Sequence, residues 1–417
     1  MTSAMPAQEL QSIPRIAPPE PDLDPEELIR RAESMCDMLR SRQDATEAEG
    51  NISVETNQAL VDAGFYRVVQ PKAFGGYGFD LPTYVRMIAA ISRGCPETAW
   101  VLSLTLGHVY QLSTYPLAAQ LDAYGHVGDF RAPEVAARQG VGVAVPGGYR
   151  VSGAWDYASG SEHGTHILLV FVVDEPQPNV DSVRMGLFDR RDYEIVRNWN
   201  TIGMQGTGSD RVTLDDIFVP EHRTKPYPGA MEMRHTLLPP AFYEDSPLFH
   251  GPFRPFTIAE SASVVIGAAE GALDLYEEGF RVRRPAGPIK VSRYELSEYQ
   301  LNFGKCRALV DTARAALLQA SADFMKVADE IQATNEPCSD EVERRITLVL
   351  LQGIELAHQA ADIIFRTAGS SAARKDSMLG RYWRNICVMR GHVAHQVDSA
   401  AINFGRTHFG LPPVGIA

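Results

Sequence analysis

Cysteine is scarce and unorganised: the five present (Cys36, Cys95, Cys306, Cys338, Cys387) are odd in number, widely spaced and form no Cys-x-x-Cys. That spacing excludes a disulfide framework and a zinc site and suits a reducing compartment. No stretch approaches the roughly 18 consecutive apolar residues of a membrane span; the longest run, Ile167–Val173, is strand-sized. Positive charge is in deficit, with 39 Lys and Arg against 52 Asp and Glu, a net charge of −13. Such an acidic chain repels nucleic acid and anionic membranes, so neither is expected as a partner. A dinucleotide unit is also missing, because no strand–turn–helix surrounds the glycines of Phe74-Gly-Gly-Tyr-Gly78. The expectation is a soluble cytoplasmic protein. Its 417 residues exceed the roughly 250–300 at which one core stops growing, so two or three packed units are expected.

What is present is periodicity that changes along the chain. Asp24, Pro25 and Glu27 form a helix start resembling a capping box, followed by Leu28, Ile29, Ala32, Met35, Cys36 and Leu39 at helical spacing. Ser53 opens a second helix that stops at Gly64, and two more are predicted over 81–93 and 97–122. The period then becomes two. Strands are predicted at 141–145, 149–157, 166–173, 183–188, 193–198 and 211–219, the third as an unbroken apolar run of the kind covered on both faces. Helical spacing returns over 257–283, 293–330, 340–368 and 378–404. The division expected is a flexible leader (1–23), an N-terminal helical domain (24–130), a middle antiparallel β domain (131–225), a connecting loop (226–256) and a C-terminal helical bundle (257–417). The fold class is α+β, mostly α.

Several local sequences stand out in this order: Gln70-Pro-Lys-Ala-Phe-Gly-Gly-Tyr-Gly78, Gly153-Ala-Trp-Asp-Tyr-Ala-Ser159-Gly, Trp199-Asn-Thr-Ile-Gly-Met-Gln-Gly-Thr207-Gly-Ser209-Asp, Val219-Pro-Glu, and the pair Arg381 and Arg384. Together they resemble the acyl-CoA dehydrogenase fold, whose C-terminal part is a four-helix bundle. Many dehydrogenases of that fold carry a carboxylate base nine residues after the arginine matching Arg384. Here the position is Val393, which cannot take a proton, and its neighbour is His392. The histidine version is similar to the oxygenase components of two-component flavin monooxygenases, a group that includes 4-hydroxyphenylacetate 3-hydroxylase, a steroid-phenol hydroxylase and dibenzothiophene monooxygenase.

That resemblance implies hydroxylation of an aromatic, phenolic small molecule through a flavin C4a-hydroperoxide. It implies reduced flavin (FMNH2 or FADH2) as cofactor, O2 as co-substrate, a separate NAD(P)H:flavin reductase, and a homotetramer. His392 is the candidate general base, its ordinary pKa of about 6.5 placing it near neutrality. Ser159 is implied at the flavin N5/O4 edge, with His108 and Trp100 sharing the pocket eight residues apart. Thr207 and Ser209 are implied as flavin contacts, and Arg281 and Arg283 as phosphate contacts, since arginine suits phosphate. Each has a plainer reading: core packing for Trp100 and His108, tight turns for Ser159 and for Thr207-Gly-Ser209, and a solvated basic face for the arginines. His392 and His395 lie three apart without a third ligand, so no metal is expected. The sequence departs from some relatives at Arg131-Ala-Pro-Glu134 and at Gln396, positions bearing on substrate identity and on the tuning of His392. An FAD-dependent acyl-CoA-type dehydrogenase, an N- or S-oxygenase and a non-catalytic scaffold remain the alternatives.

Overall fold

Asp24 accepts the Glu27 N–H at 2.9 Å and starts the first helix where the residues predict it. The structure, a computed structural model, describes residues 15–176, 179–227, 246–285 and 291–414. The first fourteen residues of the expected leader and most of the expected connecting loop (228–245) lie outside the described residues. Within the leader's remaining part, Ile16 bridges to Phe74 and Glu20 pairs with Arg31 at 2.8 Å.

The N-terminal helices are α1 (Pro25–Ser34), α2 (Cys36–Glu49), α3 (Val54–Asp62), α4 (Leu81–Gly94), α5 (Pro96–Gly107), α6 (Val109–Leu112) and α7 (Leu117–Tyr124). The single helix expected over 97–122 is therefore three. The Thr105 carbonyl, which would accept Val109 N–H in a continuous helix, accepts the Ala132 N–H at 3.0 Å. Pro116, without an N–H, forces the second break. The first break leaves His108 at the end of α5, facing the strands.

Among the described residues, seven strands follow: β1 (Glu134–Val145), β2 (Gly148–Trp155), β3 (His166–Val173), β4 (Val183–Asp189), β5 (Glu194–Val196), β6 (Arg211–Pro220) and β7 (Thr224–Pro226), in sheet order β5-β6-β2-β1-β3-β4-β7. The expectation of an antiparallel sheet needs correction. β3 enters beside β1 in parallel, because the chain crosses over between β2 and β3 through residues 156–165 instead of turning back as a hairpin. β1 also begins seven residues earlier than expected, at Glu134. The unbroken apolar run of β3 is explained by its two buried faces. Leu168 and Val170 join the large core shared with the helices, while Ile167, Leu169 and Phe171 join Trp155 and Val151 in a separate core on the other face.

The last helices are α8 (Phe253–Val282), α9 (Ser297–Thr334), α10 (Asp340–Ala368), α11 (Met378–Arg390) and α12 (Val397–His408). Among the described residues, α8 and α10 have the length and apolar character of a membrane span. In α8 that window is 89% buried inside the protein, and in α10 50%. The helix expected over 378–404 is interrupted at Gly391–Gln396. The Met389 carbonyl there accepts both the His392 N–H at 3.0 Å and the His395 Nδ1–H at 2.8 Å. His392 thus sits in extended backbone at the break, φ −66° and ψ 137°, and not on a helix face.

Trp155 is fully buried, and its indole N–H donates to the Val170 carbonyl at 2.7 Å, tying β2 to β3. Trp155→Ala is expected to cost about 3–5 kcal/mol, measured as a lowered denaturant midpoint at unchanged slope.

Candidate active site

Three segments distant in sequence meet where β2 and β6 abut α5. The crossover after β2 brings in Ser159, and Gly160 follows with φ +76°, a conformation glycine adopts freely. A Cβ on Gly160 would also stand 2.9 Å from Val101 and 3.0 Å from Thr105, so α5 packs directly on this turn. The loop before β6 brings in Thr207 and Ser209, and α5 brings in Trp100. Trp100 Nε1–H donates to Ser159 Oγ at 3.2 Å, Ser159 and Ser209 hydroxyls lie 2.7 Å apart, and Ser209 and Thr207 hydroxyls 2.6 Å apart. Thr207 donates to the Met204 carbonyl at 2.8 Å. A carbonyl only accepts, so the protons run one way: Trp100 to Ser159, Ser159 to Ser209, Ser209 to Thr207. Ser159 Oγ keeps a lone pair for a ligand.

The loop carrying these hydroxyls is docked through its backbone. Asn385 Oδ1 accepts Met204 N–H at 2.6 Å, and the Glu97 carboxyl accepts Gly206 N–H at 2.9 Å. Arg381 and Arg384 do not reach the hydroxyls. They grip Glu47, Arg384 at 2.8 Å, and Glu47 in turn accepts from Gln205 at 3.1 Å. Tyr157, in the crossover, holds φ 70°, a strained value for a bulky residue, and its ring meets Trp199 edge-on at 5.6 Å.

His392 closes the same space from the other side, its ring 5.3 Å from that of Trp100 at 78°. Its Nδ1 accepts Ala394 N–H at 3.3 Å, so the neutral ring carries its proton on Nε2. Burial lowers its pKa from 6.5, favouring the neutral form. Val393, where a carboxylate base would stand, is 75% exposed. His395 has both ring nitrogens engaged, by Met389 O and by Ser261 Oγ at 2.9 Å, and burial takes its pKa down to about 3. It anchors the turn and has no nitrogen to offer a metal.

All of Trp100, His108, Ser159, Thr207, Ser209 and His392 line one cavity of about 570 Å³. His108 Nδ1–H donates to Ala132 O at 2.6 Å, leaving Nε2 toward Glu134 at 3.9 Å. Arg281 and Arg283 are elsewhere, beside a second cavity of about 650 Å³ shared with Arg293 and Arg374. Arg281 pairs there with Glu277 at 2.7 Å, and Arg283 donates to Ser371 at 2.6 Å. Three polar residues of the first cavity or its support escaped the sequence reading, Glu97, Gln111 and Glu260, while Glu134 entered it only as the end of Arg131-Ala-Pro-Glu134. Glu260 had a signal, the one acid between Phe253 and Ala269 in a stretch rich in apolar residues.

Comparison with known proteins agrees with this geometry. Residues 26–125 match the family described as acyl-CoA dehydrogenase, N-terminal domain, and residues 259–397 its C-terminal domain. The chain is 30% identical over 388 residues to the flavin-dependent monooxygenase oxygenase subunit HsaA of Rhodococcus jostii, covering 92% of this chain and 98% of that one. It is 28% identical over 396 residues to the FADH(2)-dependent resorcinol hydroxylase oxygenase component of Rhizobium sp., covering 93% and 95%. Its structure superposes on that of XiaF from Streptomyces sp. in complex with FADH2 and glycerol with a TM-score of 0.85 at 27% identity, covering 94% and 97%. The fold is that of the acyl-CoA dehydrogenases. Within it, the chain belongs to the oxygenase subunits of flavin-dependent monooxygenases.

Burial pushes the Glu97 pKa up to about 7, above the ordinary 4.5. The folded state then holds a proton that the unfolded chain releases, so this group's contribution to stability falls as pH rises from about 4.5 to about 7. Glu97→Gln keeps an acceptor for Gly206 and is expected to flatten that decline, worth up to about 3 kcal/mol, in denaturant midpoints compared at pH 5 and 7.5.

Proposed function

We propose that this oxygenase subunit hydroxylates an aromatic, phenolic small molecule, using reduced flavin (FMNH2 or FADH2) and O2, with His392 as general base. The observation that carries the reading is the shared cavity. A neutral imidazole and a directed hydroxyl chain face one largely apolar space, with an unreactive valine at the dehydrogenase base position. The residues present fit a flavin ring, since a slot beside Trp100 offers the free lone pair of Ser159 and the hydroxyls of Thr207 and Ser209. Bound reduced flavin would supply the oxygen-activating chemistry. The apolar walls would keep water from it, and Ser159 would orient its N5/O4 edge. Arg281 and Arg283 would reach a flavin phosphate across a subunit boundary of the homotetramer.

His392 would take the phenol's proton as oxygen transfer begins. To accept at Nε2, the ring moves its own proton to Nδ1 and gives up the Ala394 hydrogen bond, a loss of about 1 kcal/mol. A positioned base contributes about 10²–10⁴-fold, or about 3–5 kcal/mol, so the exchange is favourable. Burial supports this role by holding the ring neutral. Glu260 does not rescue the dehydrogenase reading. It lies in the cavity, but burial raises its pKa well above 4.5 and so favours the protonated form, which takes no α-proton. The described residues contain no dinucleotide-binding unit, so a separate NAD(P)H:flavin reductase would deliver the cofactor.

The test is turnover of a phenol by the purified chain supplied with chemically reduced flavin and O2, without NADH; absence of hydroxylated product across a panel of phenols refutes the reading. His392→Ala should lower hydroxylation about 10²-fold while H2O2 release rises. Because its folded pKa lies below 6.5, the acid limb of kcat/KM should fall below that pH, and disappear in the variant.

A further inference from the structure

The wall of the cavity away from Trp100 has polar chemistry that the base and the hydroxyl chain do not use. Glu260, on α8, is 2% exposed, and its Oε1 has no hydrogen-bond partner. It reaches the end of α5 because residue 107 is glycine, where a Cβ would stand 1.7 Å from that oxygen. One turn further, Gln111 is 3% exposed and its Oε1 is likewise unpartnered, while its Nε2–H donates to Glu134 Oε2 at 2.7 Å. Gly107, Gln111, Glu134 and Glu260 all border the cavity, and no lysine or arginine among the described residues does. Two buried oxygens without hydrogen-bond partners are costly unless a ligand satisfies them.

Position along the helix sets the reach. Seven residues separate Trp100 from Gly107, about 10 Å at 1.5 Å per residue, and the His392 ring packs on Trp100. A phenol whose hydroxyl meets His392 and whose arm runs along α5 would bring its far end to Glu260.

We propose that Glu260, Gln111 and Glu134 form a recognition subsite for a hydrogen-bond donor, a hydroxyl or an amine, at the substrate's end remote from the phenol, and that this wall rejects a carboxylate there. The proposal rests on the phenol-hydroxylase reading for its orientation. Burial and the neighbouring Glu134 raise the Glu260 pKa well above 4.5, which favours the neutral acid when the subsite is empty. It then offers a neutral acid to a hydroxyl, and can ionise to meet an ammonium. A carboxylate would meet the Glu134 carboxyl and the oxygens of Glu260 and Gln111 in a cavity that no lysine or arginine among the described residues lines.

The experiment compares three phenols with similar arms: 4-(2-aminoethyl)phenol, 4-(2-hydroxyethyl)phenol and 4-hydroxyphenylacetate. Their affinities for the full chain loaded with reduced flavin are measured without oxygen, by calorimetry. The amine or the alcohol should bind about tenfold tighter than the acid, the ratio expected from one satisfied buried acceptor. Glu260→Leu should bring the ratio to about one, whereas Glu260→Gln, isosteric with the neutral acid, should retain the alcohol's advantage. Equal affinities for all three, no binding by any, or an unchanged ratio in Glu260→Leu overturns the subsite. Adding oxygen separates the two readings. A preserved affinity ratio without hydroxylated product removes the phenol-hydroxylase reading and leaves the donor subsite, and product with equal affinities does the reverse.

Discussion

The backbone N–H groups of Met204 and Gly206 end on Asn385 and Glu97, and the cavity's hydroxyl chain depends on those two buried hydrogen bonds. Three short hydroxyls cannot find one another unless their backbones are placed to within a few tenths of an ångström. Met204 adopts a left-handed φ of 57°, so the loop needs outside restraint to persist. The restraint comes from α11 on one side and α5 on the other, with Gly160 N–H bonded to Thr207 O at 3.0 Å joining crossover to loop. The sheet and the bundle thus hold a single polar edge between them. That edge, not either layer alone, defines the site.

Desolvation sets the charge state throughout this region. It lowers the pKa of His392 and His395 and raises that of Glu97 and Glu260, favouring the neutral form of each, although the protein as a whole carries a net charge of −13. The surface excess of acid and the neutral form of these four buried groups are compatible because burial penalises whichever form is charged, irrespective of sign. An imidazole that must accept a proton near neutrality benefits from the first effect. A wall that must recognise a donor without a fixed counter-ion benefits from the second.

Much of the architecture was legible because it rests on period. The alternation in β2, the unbroken run of β3 and the capped start of α1 each follow from which side chains must be buried. The helix breaks at His108 and at Gly391–Gln396 were not legible. Helical spacing continues through both, and what stops each helix is a carbonyl claimed by a partner, Ala132 N–H in one case and His395 Nδ1–H in the other. The parallel pairing of β1 with β3 was hidden for a related reason: strand direction depends on where a connection crosses, which local pattern does not encode. Of the candidate residues, six converge on one cavity, while Arg281 and Arg283 gather at another.

What the sequence by itself determined is the class of fold, the absence of a carboxylate at Val393 and the residue types available for chemistry, since these depend on local pattern and on a recognisable order of motifs. Only the tertiary structure decided that His392 lies in a helix break against Trp100, that Ser159, Ser209 and Thr207 share one directed chain, and that Glu260 reaches past Gly107 into the cavity. Such facts depend on contacts between residues tens to hundreds of positions apart. The free energy of those contacts comes from burial and hydrogen bonding that exist only once the layers have packed.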